Sequence, residues 1–135
     1  MSYTKKQVSE IIGLSMRAIQ YYTERTLITP EIDLGEGKGQ NRKYSKKNLF
    51  EFGIIKALSE YGMAFAQVKT IFEMIDFARY YGVENPFIVI YKVESGSGFV
   101  YQWSKDLELD KHYKAAAESM LIINMGKIFA KVKRA

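Results

Sequence analysis

At 135 residues, 47% of them hydrophobic, this chain can bury the core of one domain or two small ones, which excludes a solvated tail or linker. The absence of cysteine excludes disulfides, thiolate metal sites and sulfur redox switching, and the single histidine, His112, leaves little from which to build another metal site. Twenty Lys and Arg against fifteen Asp and Glu give a net charge of +5 and a pI near 9.3, which suits a polyanionic partner.

The start, MSYTKKQVSE, lacks the apolar core of a signal peptide, and the apolar run from Met120 to Met125 is too short to span a bilayer. A soluble, cytoplasmic protein with no membrane partner is therefore expected. In chain order, Thr4 suits the cap of a first helix in which Val8, Ile11 and Ile12 recur at i, i+3 and i+4, ending at Gly13. Ser15 is a second cap, opening a helix from Met16 toward Arg25. At about 100° per residue, Ala18, Ile19 and Tyr22 share one side of this second helix, and Arg17, Gln20, Tyr21 and Glu24 share the other. The adjacent tyrosines thus point apart, Tyr22 to the core and Tyr21 outward. Two short helices joined by a glycine-containing turn form a helix-turn-helix pattern.

From Leu34 to Ser45, LGEGKGQNRKYS has the glycine density of a hairpin tip followed by a short strand, a projecting wing that carries Lys38, Arg42 and Lys43. Lys46 and Lys47 follow, with no acid between Lys38 and Lys47. Ser45 caps a third helix with Leu49, Phe52, Ile55 and Leu58 at helical spacing, ending near Gly62. A fourth begins about Ala64, repeats Phe65, Val68, Ile71 or Phe72, and Ile75, and stops by Gly82. These apolar stripes predict core.

Past Gly82, Asn85-Pro86 breaks the chain, and FIVIYKVE and FVYQWS, separated by SGSG, predict a β-hairpin. The first of these strands is apolar on both faces and needs cover on each. A helix is expected from about Lys111 to Lys133, apolar over a wider arc than a small hairpin buries, which leaves self-association or a two-sided core within one chain. The fold class is mainly α with small β: a winged helix-turn-helix unit over 1–82, then a β-hairpin plus long helix over 83–135.

Residues 3 to about 72 resemble the DNA-binding domain of the MerR family of transcriptional regulators. The matching residues are Tyr3-Thr4, Val8, Gly13-Leu14-Ser15, Arg17, Ile19, Tyr21-Tyr22, Glu24, Arg25, Leu27, Pro30, Arg42, Tyr44-Ser45, Leu49 and Gly62-Met63-Ala64-Phe65 before Val68 and Ile71. The chain departs from the family pattern at Gln20, where arginine is usual, at Thr26, where glycine is frequent, and across Gln40-Asn41-Arg42-Lys43-Tyr44 in the wing. Relatives generally carry a long dimerising helix after the fourth, and here a strand hairpin intervenes.

The resemblance implies a sequence-specific DNA-binding regulator. Arg17 and Gln20 on the helix 16–25 would read bases in the major groove, because arginine suits guanine and glutamine suits adenine. Tyr21, Thr4, Ser15 and the start of the second helix would meet the sugar-phosphate backbone. Lys38, Arg42, Lys43 and Tyr44 of the wing 35–44 would contact flanking DNA, with Tyr44 also bracing the wing, and Lys69 would reach phosphate on the other side. Glu24 is expected to hold Arg17 or a wing arginine. The implied partners are double-stranded DNA, with the protein nucleoid-associated when bound, and a second copy of the chain through its C-terminal region. RNA polymerase and a small-molecule effector stay open. No cofactor or metal is expected.

Two alternatives use the same fold: an architectural DNA-binding protein, and a protein- or ligand-interaction module with Tyr91, Tyr101 and Trp103 as pocket walls. Catalysis is not expected, since no nucleophile motif or phosphate-binding glycine loop accompanies His112, and Asp106, Glu108 and Asp110 read as a solvated strip.

Overall fold

The computed structural model describes residues 1–35, 42–75, 87–92, 99–104 and 120–135, with the backbone only for residues 91, 92, 99–104 and 120. Helix α1, Lys5–Ile12, is opened by Thr4, whose hydroxyl accepts from the Gln7 amide at 3.2 Å while the Gln7 side chain accepts from the Thr4 amide at 2.8 Å. Gly13 ends it at φ 88, a left-handed conformation that glycine adopts without strain. Helix α2, Met16–Glu24, starts on Ser15, which accepts from the Ala18 amide at 3.0 Å. Its exit is closed by Thr26 N–H bonding to the Thr23 carbonyl and Leu27 N–H to the Tyr22 carbonyl. That pairing requires the residue after the cap to be left-handed, and Thr26 takes it at φ 58 although its β-branched side chain disfavours the region.

Helix α3, Lys46–Glu60, lies at the centre. Leu49, Phe50, Phe52, Ile54, Ile55 and Leu58 are all fully buried, and such a spread around the axis means that neighbours cover α3 on several sides. Helix α4, Phe65–Met74, packs on it through Val68, Ile71 and Phe72. Helix α4 ends well before the expected stop at Gly82: Ile75 caps it in an extended conformation, φ -84 and ψ 123, its N–H bonding to the Phe72 carbonyl, and residues 76–86 lie outside the described residues.

Strands β1, Phe87–Lys92, and β2, Phe99–Ser104, pair antiparallel as the hairpin expectation required. The segment expected to be one helix to Lys133 divides instead: Met120–Asn124 forms strand β3, antiparallel to the other edge of β1, and only Met125–Lys133 is helix α5; 111–119 lie outside the described residues. The sheet order is β2-β1-β3. The correction has a physical cause. Leu121-Ile122-Ile123 carries two β-branched residues with good strand propensity, and β1, apolar on both faces, offers them an unpaired edge. Asn124 then ends the strand and caps α5, accepting from the Lys127 amide at 3.1 Å.

Ile88, Ile90, Ile123, Met125 and Val132 join the buried cluster that also holds Val8, Ile12, Leu49 and Val68, so the described C-terminal elements and the first four helices share a core. Helix α5 closes over α1 and α3: Phe129 meets Phe50 edge-on at 6.2 Å and Lys131 Nζ reaches the Ile12 carbonyl at 3.5 Å. A Cβ on Gly53 would overlap the Cγ2 methyl of Ile128, so the missing side chain sets how near α3 and α5 approach. Gly53→Ala is expected to lower stability by about 1–2 kcal/mol, overpacking outweighing the roughly 1 kcal/mol gain in helix propensity. In an Ile128→Ala background the same substitution should change sign and stabilise by about 1 kcal/mol, measured by urea denaturation as a double-mutant cycle.

Candidate nucleic-acid interface

The inner face of α2 is fixed by Ile19, fully buried, and by Thr23, whose hydroxyl bonds to the Ile19 carbonyl at 2.8 Å and to the Tyr44 hydroxyl at 2.9 Å. The outer face carries Arg17, Gln20, Tyr21 and Glu24, all exposed, as helical spacing predicted. Among the described residues Arg17 has no hydrogen-bond or ion-pair partner. Glu24 does not hold it. Instead the Gln20 side-chain amide donates to Glu24 Oε1 at 2.8 Å, and Lys5 Nζ of α1 donates to Gln20 Oε1 at 3.1 Å. The reason is reach: Gln20 and Glu24 stand four residues apart on one ridge, the spacing at which helix side chains meet.

The two tyrosines part as expected. Tyr22 is half-buried against the core, and Tyr21 is 39% exposed. Tyr21 is nevertheless braced, meeting Tyr22 and Phe65 edge-on at 5.5 and 5.4 Å with the Arg25 guanidinium 4.6 Å above its ring. Such packing holds the ring direction while leaving part of it outside.

At the wing base, the Asp33 and Lys43 backbones bridge, as do those of Tyr3 and Tyr44. These bridges tie the wing to the start of the chain and leave Arg42 and Lys43 half-exposed. Gly35, at φ 66, turns the chain where a Cβ would meet the Arg42 backbone at 3.0 Å. Lys38 lies outside the described residues. Tyr44 braces the wing as expected, edge-on to Phe52 at 5.4 Å and bonded to Thr23, but the DNA contact expected of it is corrected, because its ring is fully buried. Ser15 and Thr4 have their hydroxyls engaged in helix caps. Lys69 is exposed and pairs with Glu73 at 3.8 Å.

Sequence reading missed the polar clasp behind the wing. Asn48, buried in the first turn of α3, accepts from the Glu31 and Ser45 amides and donates to the Thr29 carbonyl and to Glu51 Oε1. The amide thus uses both donors and accepts twice. The available signal was an asparagine three residues after a Ser cap, the spacing of a capping box. Glu31 takes the Ser45 hydroxyl at 2.6 Å and Lys47 at 3.2 Å, and the Ser45 bond chiefly holds its carboxyl below the usual range.

Burial pushes Glu51 the other way, up to about 7 from its ordinary 4.5, against the opposing Asn48 bond and Lys47 charge. A carboxyl raised on folding contributes stability that is complete below 4.5 and is lost as pH rises through about 7. Unfolding free energy should therefore fall by about 2–3 kcal/mol between pH 5 and pH 8, and Glu51→Gln should flatten that slope in urea titrations.

The described side chains also line an open cavity of about 160 Å³ formed by Ile12, Gly53, Lys56, Ala57, Glu60, Ile128 and Lys131. Its two ammonium groups are engaged, Lys56 with Glu60 at 3.6 Å and Lys131 with the Ile12 carbonyl. For Tyr91, Tyr101 and Trp103 the strand register pairs Tyr91 with Val100, Tyr101 with Ile90 and Trp103 with Ile88. Among the described residues, no helix is long and apolar enough to cross a membrane.

Residues 3–75 match the family described as MerR HTH family regulatory protein. An uncharacterised HTH-type transcriptional regulator of Mycobacterium bovis is 26% identical over 85 residues, which is 63% of this chain and 36% of that protein. Counterparts in two strains of Mycobacterium tuberculosis match to the same extent. The matched region thus spans little more than a third of these relatives. Among solved structures, HiNmlR, a MerR family regulator lacking the sensor domain and bound to promoter DNA, aligns with a TM-score of 0.45 and 26% identity over 54% of this chain and 53% of that one.

Proposed function

The chain belongs to the MerR HTH family of regulatory proteins, and on that premise we propose that it is a DNA-binding transcription regulator that inserts α2 in the major groove and lays its wing along the flanking backbone. The observation that carries this reading is the outer face of α2, where Arg17 stands exposed and without a partner among the described residues beside Gln20 and a braced Tyr21. A guanidinium held on a rigid helix has the bidentate geometry that guanine's major-groove edge accepts.

Arg42 and Lys43, with Lys38 and Lys69, supply phosphate contacts. Two copies bind one palindromic site. On this reading the two copies associate through the C-terminal region. RNA polymerase is a further partner on this reading.

Selection of bound duplexes from a random pool tests the proposal. An enriched motif is the expected result. Recovery without a motif would favour an architectural role, and no binding at low salt would favour an interaction module. On the enriched site, Arg17→Ala should cost about 1–3 kcal/mol and relax preference at one base pair, whereas Lys43→Ala should weaken all sequences about equally. Identical effects of the two variants on site preference would overturn the assigned roles.

A further inference from the structure

A side-chain amide in a groove has two flip states that exchange its donor and acceptor ends, and an unrestrained glutamine can use either. The neighbours of Gln20 remove that freedom. An ammonium has only hydrogens to give, so the atom 3.1 Å from Lys5 Nζ is the carbonyl oxygen; a carboxylate can only accept, so the atom 2.8 Å from Glu24 Oε1 is the amide nitrogen. Reversing the amide would set its N–H groups against the ammonium and its oxygen against the carboxylate, both repulsive. One lone pair and one N–H of the amide remain, the complement of the donor and acceptor that adenine shows in the major groove.

We propose that Lys5 and Glu24 are positioning residues that lock the Gln20 amide in one flip state, so that α2 accepts A·T in one orientation and rejects T·A at the base pair Gln20 meets. The inference rests on the DNA-binding reading above. The lock spans two elements. Lys5 belongs to α1 and Glu24 to α2, and the helix-turn-helix angle, set by the Gly13 turn and the Ser15 cap, brings them to opposite ends of one amide. Base preference at this position is therefore written partly by a residue of α1, which the pattern on α2 does not reveal.

The test compares binding of the full chain to two duplexes from the selected site that differ only by A·T or T·A at the pair to which Gln20→Ala becomes indifferent. Wild type is expected to prefer one orientation by about 5–150-fold, the range of one good bidentate contact. Lys5→Met combined with Glu24→Ala should bring that ratio within about threefold while preferences at other pairs stay, each single variant should fall between, and Lys5→Arg, which keeps the donor, should retain the wild-type ratio. All three residues have exposed or half-exposed side chains on helix surfaces, and circular dichroism checks that helicity is kept. Undiminished discrimination in the double variant, or no pair that becomes indifferent in Gln20→Ala, overturns the lock while leaving DNA binding standing. Recovery of duplexes without an enriched motif overturns the lock alone, whereas no binding of the wild-type chain to DNA at low salt overturns the DNA-binding reading and the lock with it.

Discussion

Tyr44→Ala is expected to remove about 3–5 kcal/mol of stability, the cost of emptying a fully buried aromatic site. Four attachments converge there: the ring lies against Phe52, the hydroxyl meets Thr23, and the backbone gives and takes a bond with Tyr3, at 2.8 and 2.9 Å. The backbone bonds survive substitution, so the loss arises chiefly from the cavity, with a smaller part from the lost Tyr44 hydroxyl bond to Thr23. Tyr44→Phe separates these contributions. It keeps the volume, leaves Thr23 its bond to the Ile19 carbonyl, and should cost about 1 kcal/mol. Urea midpoints give both values. DNA affinity of Tyr44→Phe should equal that of the wild type at a temperature where both are folded; a specific loss of affinity would return Tyr44 to the interface.

Raising monovalent salt from about 50 to about 200 mM is expected to weaken DNA binding by roughly three to five decades, as follows when two copies together neutralise about six to ten phosphates. On the proposed reading the side chains responsible are spread over separate elements, Arg42 and Lys43 at the wing base and Lys69 on α4, so no one substitution should abolish the slope. Each should reduce it by about one counterion per site contacted. Lys69 begins with a partner, Glu73 at 3.8 Å, but exposed pairs of this kind hold weakly and give way to phosphate at small cost. Fluorescence anisotropy across a salt series measures the slope. Half the expected value would indicate that one copy binds a site.

The parts of this fold legible in the sequence were those governed by local rules. Thr4, Gly13, Ser15 and Ser45 mark helix ends because capping needs only neighbours within a turn, and the helices appear where those residues place them. The facing of α2 followed from periodicity. Residues 120–124 were misread because Leu-Ile-Ile satisfies a buried helix and a buried strand equally, and what decided between them was an open edge on β1 some thirty residues earlier in the chain. Glu24, and the DNA contact expected of Tyr44, were misassigned for a similar reason. A motif locates a residue along the chain, whereas its partner is set by packing across the fold: Thr23 for Tyr44, and Gln20 for Glu24. Asn48 shows the converse, a capping residue by local pattern whose four bonds also reach back to Thr29 and Glu31.

The docking of α5 has a consequence for the order in which this protein becomes competent. The stretch that matches the family ends at residue 75, yet Phe50, Gly53 and Ile12 are covered by Phe129, Ile128 and Lys131, and the Tyr3 hydroxyl bonds to the Ala135 carbonyl at 3.3 Å. The unit of resemblance is thus shorter than the unit of folding. A growing chain emerging from a ribosome at roughly 5–20 residues per second would expose the whole of α2 several seconds before the segment that seals the core behind it. Closures between residues so far apart in the chain slow folding relative to a plain helical bundle, because the loop-closure entropy is lost before the contacts form.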